Sequence, residues 1–427
     1  MNTKIKTNIL NNGLTVKYIK NDYLHSANIG IYARKLPEKI CGIAHMTEHM
    51  IFRRLSDVPQ QQLYFATDKI GATLKGTTYT DFICIDITVS QTKLREAFEL
   101  ISKVFDDFKW LSQEVNAEKR VVRRQIEDRY NSLYSRADRE YYSGTPKGCP
   151  IMGNISDLNR MSTKSINNYR ENVFAPNNCC VVLTGNFNDS DLSYFTEKLK
   201  QIPADNTKSG LAFAKYAVKD FSDRSAESDK IYNSNDGFSD VCISFDVDGR
   251  QVNRYAAEIL HSIIGFGVTS KLSQVLRERL GFISELSGNI EFSEYAGRMT
   301  FEFDTACENL KQSLKAAFEV IAKAKRKLTK EDMQSSIVFY TDNQYRLLDD
   351  VRELNFLIGW RDFIEGERID SIDELSERYK SVTVNEINEA ASKIFSSKNL
   401  VITVSNDNKK HSKDELFSVC KVLRKEL

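Results

Sequence analysis

Some kinds of residue are scarce in this chain, and each scarcity closes off a class of function. Histidine occurs five times and proline six times in 427 residues, which leaves little room for a histidine-rich metal store or a proline-rich unfolded segment. The eight cysteines, Cys41, Cys84, Cys149, Cys179, Cys180, Cys242, Cys307 and Cys420, include no Cys-x-x-Cys pair. That excludes a zinc knuckle or a thioredoxin-like site, and the cysteines read as reduced, mostly buried thiols. No run of about 18 apolar residues occurs, and the opening MNTKIKTNILNNG lacks the apolar stretch of a signal peptide. The expectation is a cytoplasmic protein with no membrane partner. An excess of one charge is missing too: 60 Lys and Arg face 59 Asp and Glu, a net +1. Without a global field, nucleic acid is not an expected partner either.

What is present is an ordinary globular composition, 41% hydrophobic and 28% charged, over a length that calls for two domains of about 200 residues each. A weak internal repeat agrees with that division. AFELISKVFDDF from Ala97 resembles AFEVIAKAKRKL from Ala317, and SINNYRENVFAPNNCCVVLTGNF from Ser165 is echoed by EINEAASKIFSSKNLVITVSND from Glu386. Phe174 then matches Phe395, and Asn178 matches Asn399. Two segments keeping nearly one offset point to duplication of a single α+β fold.

Within each half, strands precede long helices, and a helix and a closing strand follow. DFICIDITVS from Asp81 and GRMTFEFDT from Gly297 have strand length and β-branched or aromatic enrichment. LTVKYIK and ANIGIYA read as paired strands joined through Asn21 and Asp22. Val115, Val122, Ile126 and Leu133 recur at near-helical spacing from Ser112 to Tyr134, which predicts one long amphipathic helix. Periodicity fades between roughly residues 188 and 230. The expected division is therefore a domain over 1–200, a linker over 201–228 and a second domain over 229–427.

Residues 42–52 read GIAHMTEHMIF and hold His45, Glu48 and His49 at positions that share one face of a helix. Two imidazoles one turn apart suit zinc, and a carboxylate beside them suits removal of a proton from water polarised by the ion. With five histidines in the chain, composition alone would produce such a motif in about one chain in two hundred. Ile43, Met46, Met50 and Ile51 imply a buried helix, on which polar groups need partners. His25, His261 and His411 stand alone and read as structural or surface residues.

The order His-x-x-Glu-His within GIAHMTEHMIF resembles the inverted zinc motif of the M16 (pitrilysin) metallopeptidases, and most closely the M16B processing-peptidase subfamily. LNNGLTVKYI from Leu10, EKRVVRRQIED from Glu118 and GFGVTSKLSQVLRERLGF from Gly265 resemble further segments of that family, so the likeness spans nearly the whole chain. It implies two duplicated α/β sandwich domains, antiparallel-type sheets covered by helices, arranged as a clam. It also implies Zn2+ held by His45 and His49, with Glu48 as general base. The family's third ligand is a glutamate whose position here is Gln125. A neutral amide is a poorer partner for a dication, and Glu118, two turns earlier on the same helix face, is the other candidate.

Family members that complete catalysis in one chain add an arginine and a tyrosine in the second domain. Arg277 matches the arginine, whereas Ser284 occupies the tyrosine position and is too short to replace it. In GATLKGTTYTDF from Gly71, which resembles the strand that receives substrate, Lys75 stands where the family has an asparagine. Lys75 and Gly76 are thus the expected peptide-binding positions; alternatively Lys75 only protects an exposed edge. The reading favoured is a zinc endopeptidase that cleaves peptides or leader segments beside a second M16-like chain, in a heterodimer or homodimer. The alternative is a non-catalytic M16-like scaffold that holds substrate.

Overall fold

Apolar, β-branched runs on both sides of the chain's midpoint build two sheets. The computed structural model describes residues 4–129, 132–143, 148–204, 224–233, 237–292, 297–407 and 410–427. The first sheet contains β1 (Lys6–Ile9), β2 (Thr15–Lys20), β3 (Ser26–Arg34), β4 (Thr73–Thr78), β5 (Phe82–Ser90) and β6 (Cys179–Gly185), in the order β1-β2-β6-β3-β5-β4. β2 and β6 run parallel and the other pairs antiparallel. The second contains β7 (Lys230–Asn233), β8 (Phe238–Val247), β9 (Leu286–Glu291), β10 (Gly297–Ala306) and β11 (Leu400–Asn406), ordered β9-β10-β8-β11-β7. Its one parallel pair is β11 with β7. Both sheets are mixed and covered by helices, and the expected strands at Asp81 and Gly297 are β5 and β10.

The expected pairing of β2 with β3 is corrected, because β6 lies between them. Every residue of β6 is buried, and a strand apolar on both faces is most stable inside a sheet. The helix expected from Ser112 to Tyr134 is also shorter: it spans Ser112–Arg129, and Leu133 opens a separate helix, Leu133–Tyr141. Part of the aperiodic stretch is helical as well, over Asp189–Lys200, with Asn188 and Asp191 forming a capping box. Of the expected linker, residues 205–223 lie outside the described residues.

The internal repeat corresponds to real structural equivalence. Helices Thr163–Val173 and Val384–Ile394 each begin with a capping box, Ser162 with Ser165 and Thr383 with Glu386. Each leads through the matched phenylalanine into the central strands β6 and β11. Asn178 Nδ2 donates to Val173 O at 2.8 Å, and Asn399 Nδ2 donates to Ile394 O at 3.2 Å. The same side chain therefore ties helix end to strand start in both halves.

Contacts divide the chain into two compact units, Met1–Tyr130 with Tyr142–Ala217 and Gln344–Leu375, and Asn131–Tyr141 with Val218–Asn343 and Ser376–Leu427. Each unit thus contains a helix drawn from the other half. In the first, helix Val351–Leu357 crosses β3 and β6: Asn355 Nδ2 donates to Asn28 O and Val182 O, and Tyr32 Oη donates to Asn355 Oδ1. Arg352 adds two bonds to buried Asp86, at 2.9 and 3.1 Å. In the second unit, helix Leu133–Tyr141 packs on β8 and β11, with Leu133 and Ala137 against Cys242 and Tyr141 Oη donating to Asp246.

The reduced-thiol expectation is corrected at one pair. Cys41 and Cys149, 108 residues apart, form a disulfide, while the other six cysteines are free and buried. Gly42 and Gly153 allow the two loops to meet. Both have positive φ, and a Cβ on Gly42 would stand 2.6 Å from the backbone of Met152 and Gly153. Contact at that sequence distance leaves no trace in residue spacing. No described helix is long and apolar enough to cross a membrane.

Candidate metal centre

The helix α1 (Ile43–Arg53) is oriented by its apolar residues. Ile43, Ala44, Met46, Met50 and Ile51 are buried in the core of the first unit, which turns His45, Glu48 and His49 to the opposite side. Its N-cap is Gly42, which has no side chain to satisfy the free amides. Glu38 does so instead, accepting from Gly42 N at 3.2 Å and Ala44 N at 2.9 Å. The start of the helix, one turn from His45, is thereby fixed.

His45, Glu48 and His49 each offer a ligand atom, and those atoms lie within 4.8 Å of one another. No other such group occurs among the described residues. The two imidazole centroids are 4.5 Å apart. His49 Nδ1 lies 2.9 Å from Glu118 Oε1, a contact in which a carboxylate accepts the Nδ1 proton and leaves Nε2 to face a metal. Glu48 is 8% exposed, and Thr78 Oγ1 donates to its Oε2 at 3.3 Å. Burial raises its carboxyl above the usual range, against the opposing pull of His49 and Thr78.

Glu118 and Gln125 belong to one helix, α2 (Ser112–Arg129). They sit two turns apart on one face. Gln125 Oε1 is buried with no hydrogen-bond partner among the described residues. An orphaned acceptor is costly unless a cation or water takes it. The two imidazoles and the carboxylate grouped on α1 are a donor set that fits a zinc ion.

Gly76 lies where β4 meets α1. A Cβ there would stand 2.3 Å from Phe52 and 2.7 Å from Glu48 Oε1. Among the described residues β4 pairs with β5 alone, which leaves its other edge open beside the site. A cleft of about 450 Å³ is lined by Glu48, His49, Arg53, Lys75, Gly76 and Glu118 among others. Lys75 in that lining is exposed and in register with Asp86. Arg277 and Ser284 are in the second unit; Arg277 is on the segment Gln274–Arg279 and pairs with Glu278 at 3.2 Å. Sequence reasoning missed Thr78 and Glu38. Thr78 shares strand parity with Gly76 and could have been found that way, whereas nothing in the spacing points to Glu38.

A two-unit α/β fold with this triad on one buried helix matches a zinc-protease family fold carrying a candidate metal centre. Comparison with known families agrees. Residues 17–153 match the model described as insulinase (peptidase family M16), and residues 160–337 match the peptidase M16 inactive domain. The chain belongs to the M16 (pitrilysin) family. A Bacillus subtilis protein named as the uncharacterized zinc protease YmxG is 22% identical over 406 residues, covering 92% of this chain and 96% of the relative. The fold is similar to that of a protease from Helicobacter pylori, with a TM-score of 0.84, 15% identity and coverage of 95% and 100%. It is also similar to a peptidase M16 inactive domain from Pseudomonas fluorescens, with a TM-score of 0.81, 16% identity and coverage of 94% and 98%.

Proposed function

We propose that this chain is a zinc-dependent endopeptidase of the M16B type that cleaves peptides or leader segments. The observation that carries the reading is the convergence of His45, Glu48 and His49, with Glu118 Oε1 2.9 Å from His49 Nδ1. His45 and His49 would hold the ion through imidazole nitrogens, with Gln125 Oε1 as third donor and Glu118 in the outer position. Zinc bound there supplies Lewis acidity, polarising water and the scissile carbonyl. Glu48, whose carboxyl burial raises above the usual range, would take the proton. The open edge of β4 binds substrate main chain as an added strand.

Ser284 cannot reach a developing oxyanion, so a second M16-like chain supplies the arginine and tyrosine, and Arg277 contributes charge at most. Gln125 and Ser284 favour a second reading, a scaffold that holds substrate without cutting it. Elemental analysis of the purified chain together with Glu48→Gln separates them. The peptidase reading expects about one equivalent of zinc, cleavage of an unfolded peptide by the wild type, and a variant that keeps its zinc but does not cleave. Zinc below about a tenth of an equivalent, or turnover surviving in the variant, would refute it.

A further inference from the structure

We propose that Arg53 is a positioning residue for the metal centre, holding Glu118 so that Glu118 can hold His49; this rests on the reading of His49 as a zinc ligand. Arg53 follows His49 by one turn on α1, so the two side chains lie on one face. Glu118 Oε1 lies 2.9 Å from His49 Nδ1, while Glu118 Oε2 lies 3.5 Å from Arg53 Nε. The two oxygens are thus divided between imidazole and guanidinium. No other group among the described residues bonds to Glu118.

Arg53 is itself held. Its Nη1 donates to Gln60 Oε1 at 2.6 Å, so the planar guanidinium presents one edge to Glu118 and another to Gln60. A chain of contacts therefore runs Gln60, Arg53, Glu118, His49. Without Arg53 the carboxylate is anchored at one oxygen, on a side chain with three free torsions, and the imidazole plane it sets is no longer fixed. A lysine could restore charge near Oε2, but a single ammonium on a flexible stem cannot span both partners in one plane. A plain surface ion pair would have no such consequence. What sets this one apart is that its carboxylate is 8% exposed and shared with a ligand.

The test uses the full chain carrying Arg53→Met, Arg53→Lys or Gln60→Ala, with thermal melting to establish folding. Zinc affinity is measured by competition with a chelator. The tautomer of His49 is read in metal-free protein from its imidazole 15N shifts. Arg53→Met is expected to weaken zinc binding by about 10- to 100-fold, the usual effect of losing an outer partner of a histidine ligand. Arg53→Lys should recover only part of that loss, Gln60→Ala should show a smaller one, and Arg53→Met should lose the fixed Nδ1–H tautomer. If Arg53→Met fails to fold, the other two variants carry the test, and wild-type behaviour in both overturns the proposal. A zinc affinity within about twofold of wild type in Arg53→Met, with the tautomer unchanged, also overturns it. If the wild type takes up no zinc, the ligand reading has failed, and the tautomer alone decides whether Arg53 positions Glu118.

Discussion

Gly76 faces Glu48 so closely that a methyl group on its α-carbon would stand 2.7 Å from the carboxylate oxygen Oε1. The edge strand that would receive a peptide and the helix that would supply the base are in contact at a residue with no side chain.

Gly76→Val should therefore displace Glu48 and Phe52 together. Overpacking of this kind costs about 1–3 kcal/mol of stability, and misplacing a reacting group by about 1 Å lowers turnover roughly 100-fold. Zinc content should stay at the wild-type level, since the atoms nearest the added side chain belong to Phe52 and Glu48 and not to either imidazole. Steady-state kinetics and elemental analysis of one preparation check this, and wild-type turnover would show that the close approach is irrelevant to the base.

Gln125→Glu should tighten zinc binding by about tenfold or more, because a carboxylate replaces a neutral oxygen toward a dication. Chelator competition measures the change. An unaltered dissociation constant would move the third-ligand role to Glu118.

Cys149→Ser removes a link that closes a loop of 108 residues in sequence. Chain entropy puts the contribution of such a link at about 4–5 kcal/mol as an upper figure, so a clear fall in melting temperature is expected. Dithiothreitol should lower the wild type to the level of the variant and leave the variant unchanged. A wild type insensitive to reductant, with eight titratable thiols when unfolded, would show that the bond is not formed.

His261 gives a pH dependence of definite sign. Burial pushes its imidazole down to about 4 from 6.5, the nearby Glu258 opposing only in part, and Nε2 has no hydrogen-bond partner among the described residues. Between pH 6.5 and 4 the unfolded chain binds a proton that the native state refuses. Stability from this residue is therefore complete above the unfolded value and is lost as pH falls, by about 3 kcal/mol at most. Urea titrations at pH 7 and pH 4.5 should show a smaller acid loss in His261→Phe than in the wild type. Equal losses would place the acid sensitivity elsewhere.

Much of this was legible in the residues. The triad of α1 was visible because helical spacing and the buried pattern of Ile43, Met46, Met50 and Ile51 depend only on neighbours within two turns. The repeat was visible because Phe174 and Phe395, and Asn178 and Asn399, do the same local work of joining helix to strand. Sheet order was not legible, since β6 enters between β2 and β3 from far along the chain and only its apolar character on both faces hints at a central place. The Cys41–Cys149 bond and the Glu38 cap were hidden for the same reason: each depends on loop geometry set by the tertiary fold. Arg352 and Asn355 look like ordinary helix residues until Asp86 and Tyr32 are beside them.

The helices Leu133–Tyr141 and Val351–Leu357 each complete the sheet unit encoded by the opposite half. A gene cut within the segment that encodes residues 205–223 would not yield two self-sufficient modules; each fragment would lack one wall and carry its counterpart's. Co-expressed, the fragments should assemble as a complementing pair.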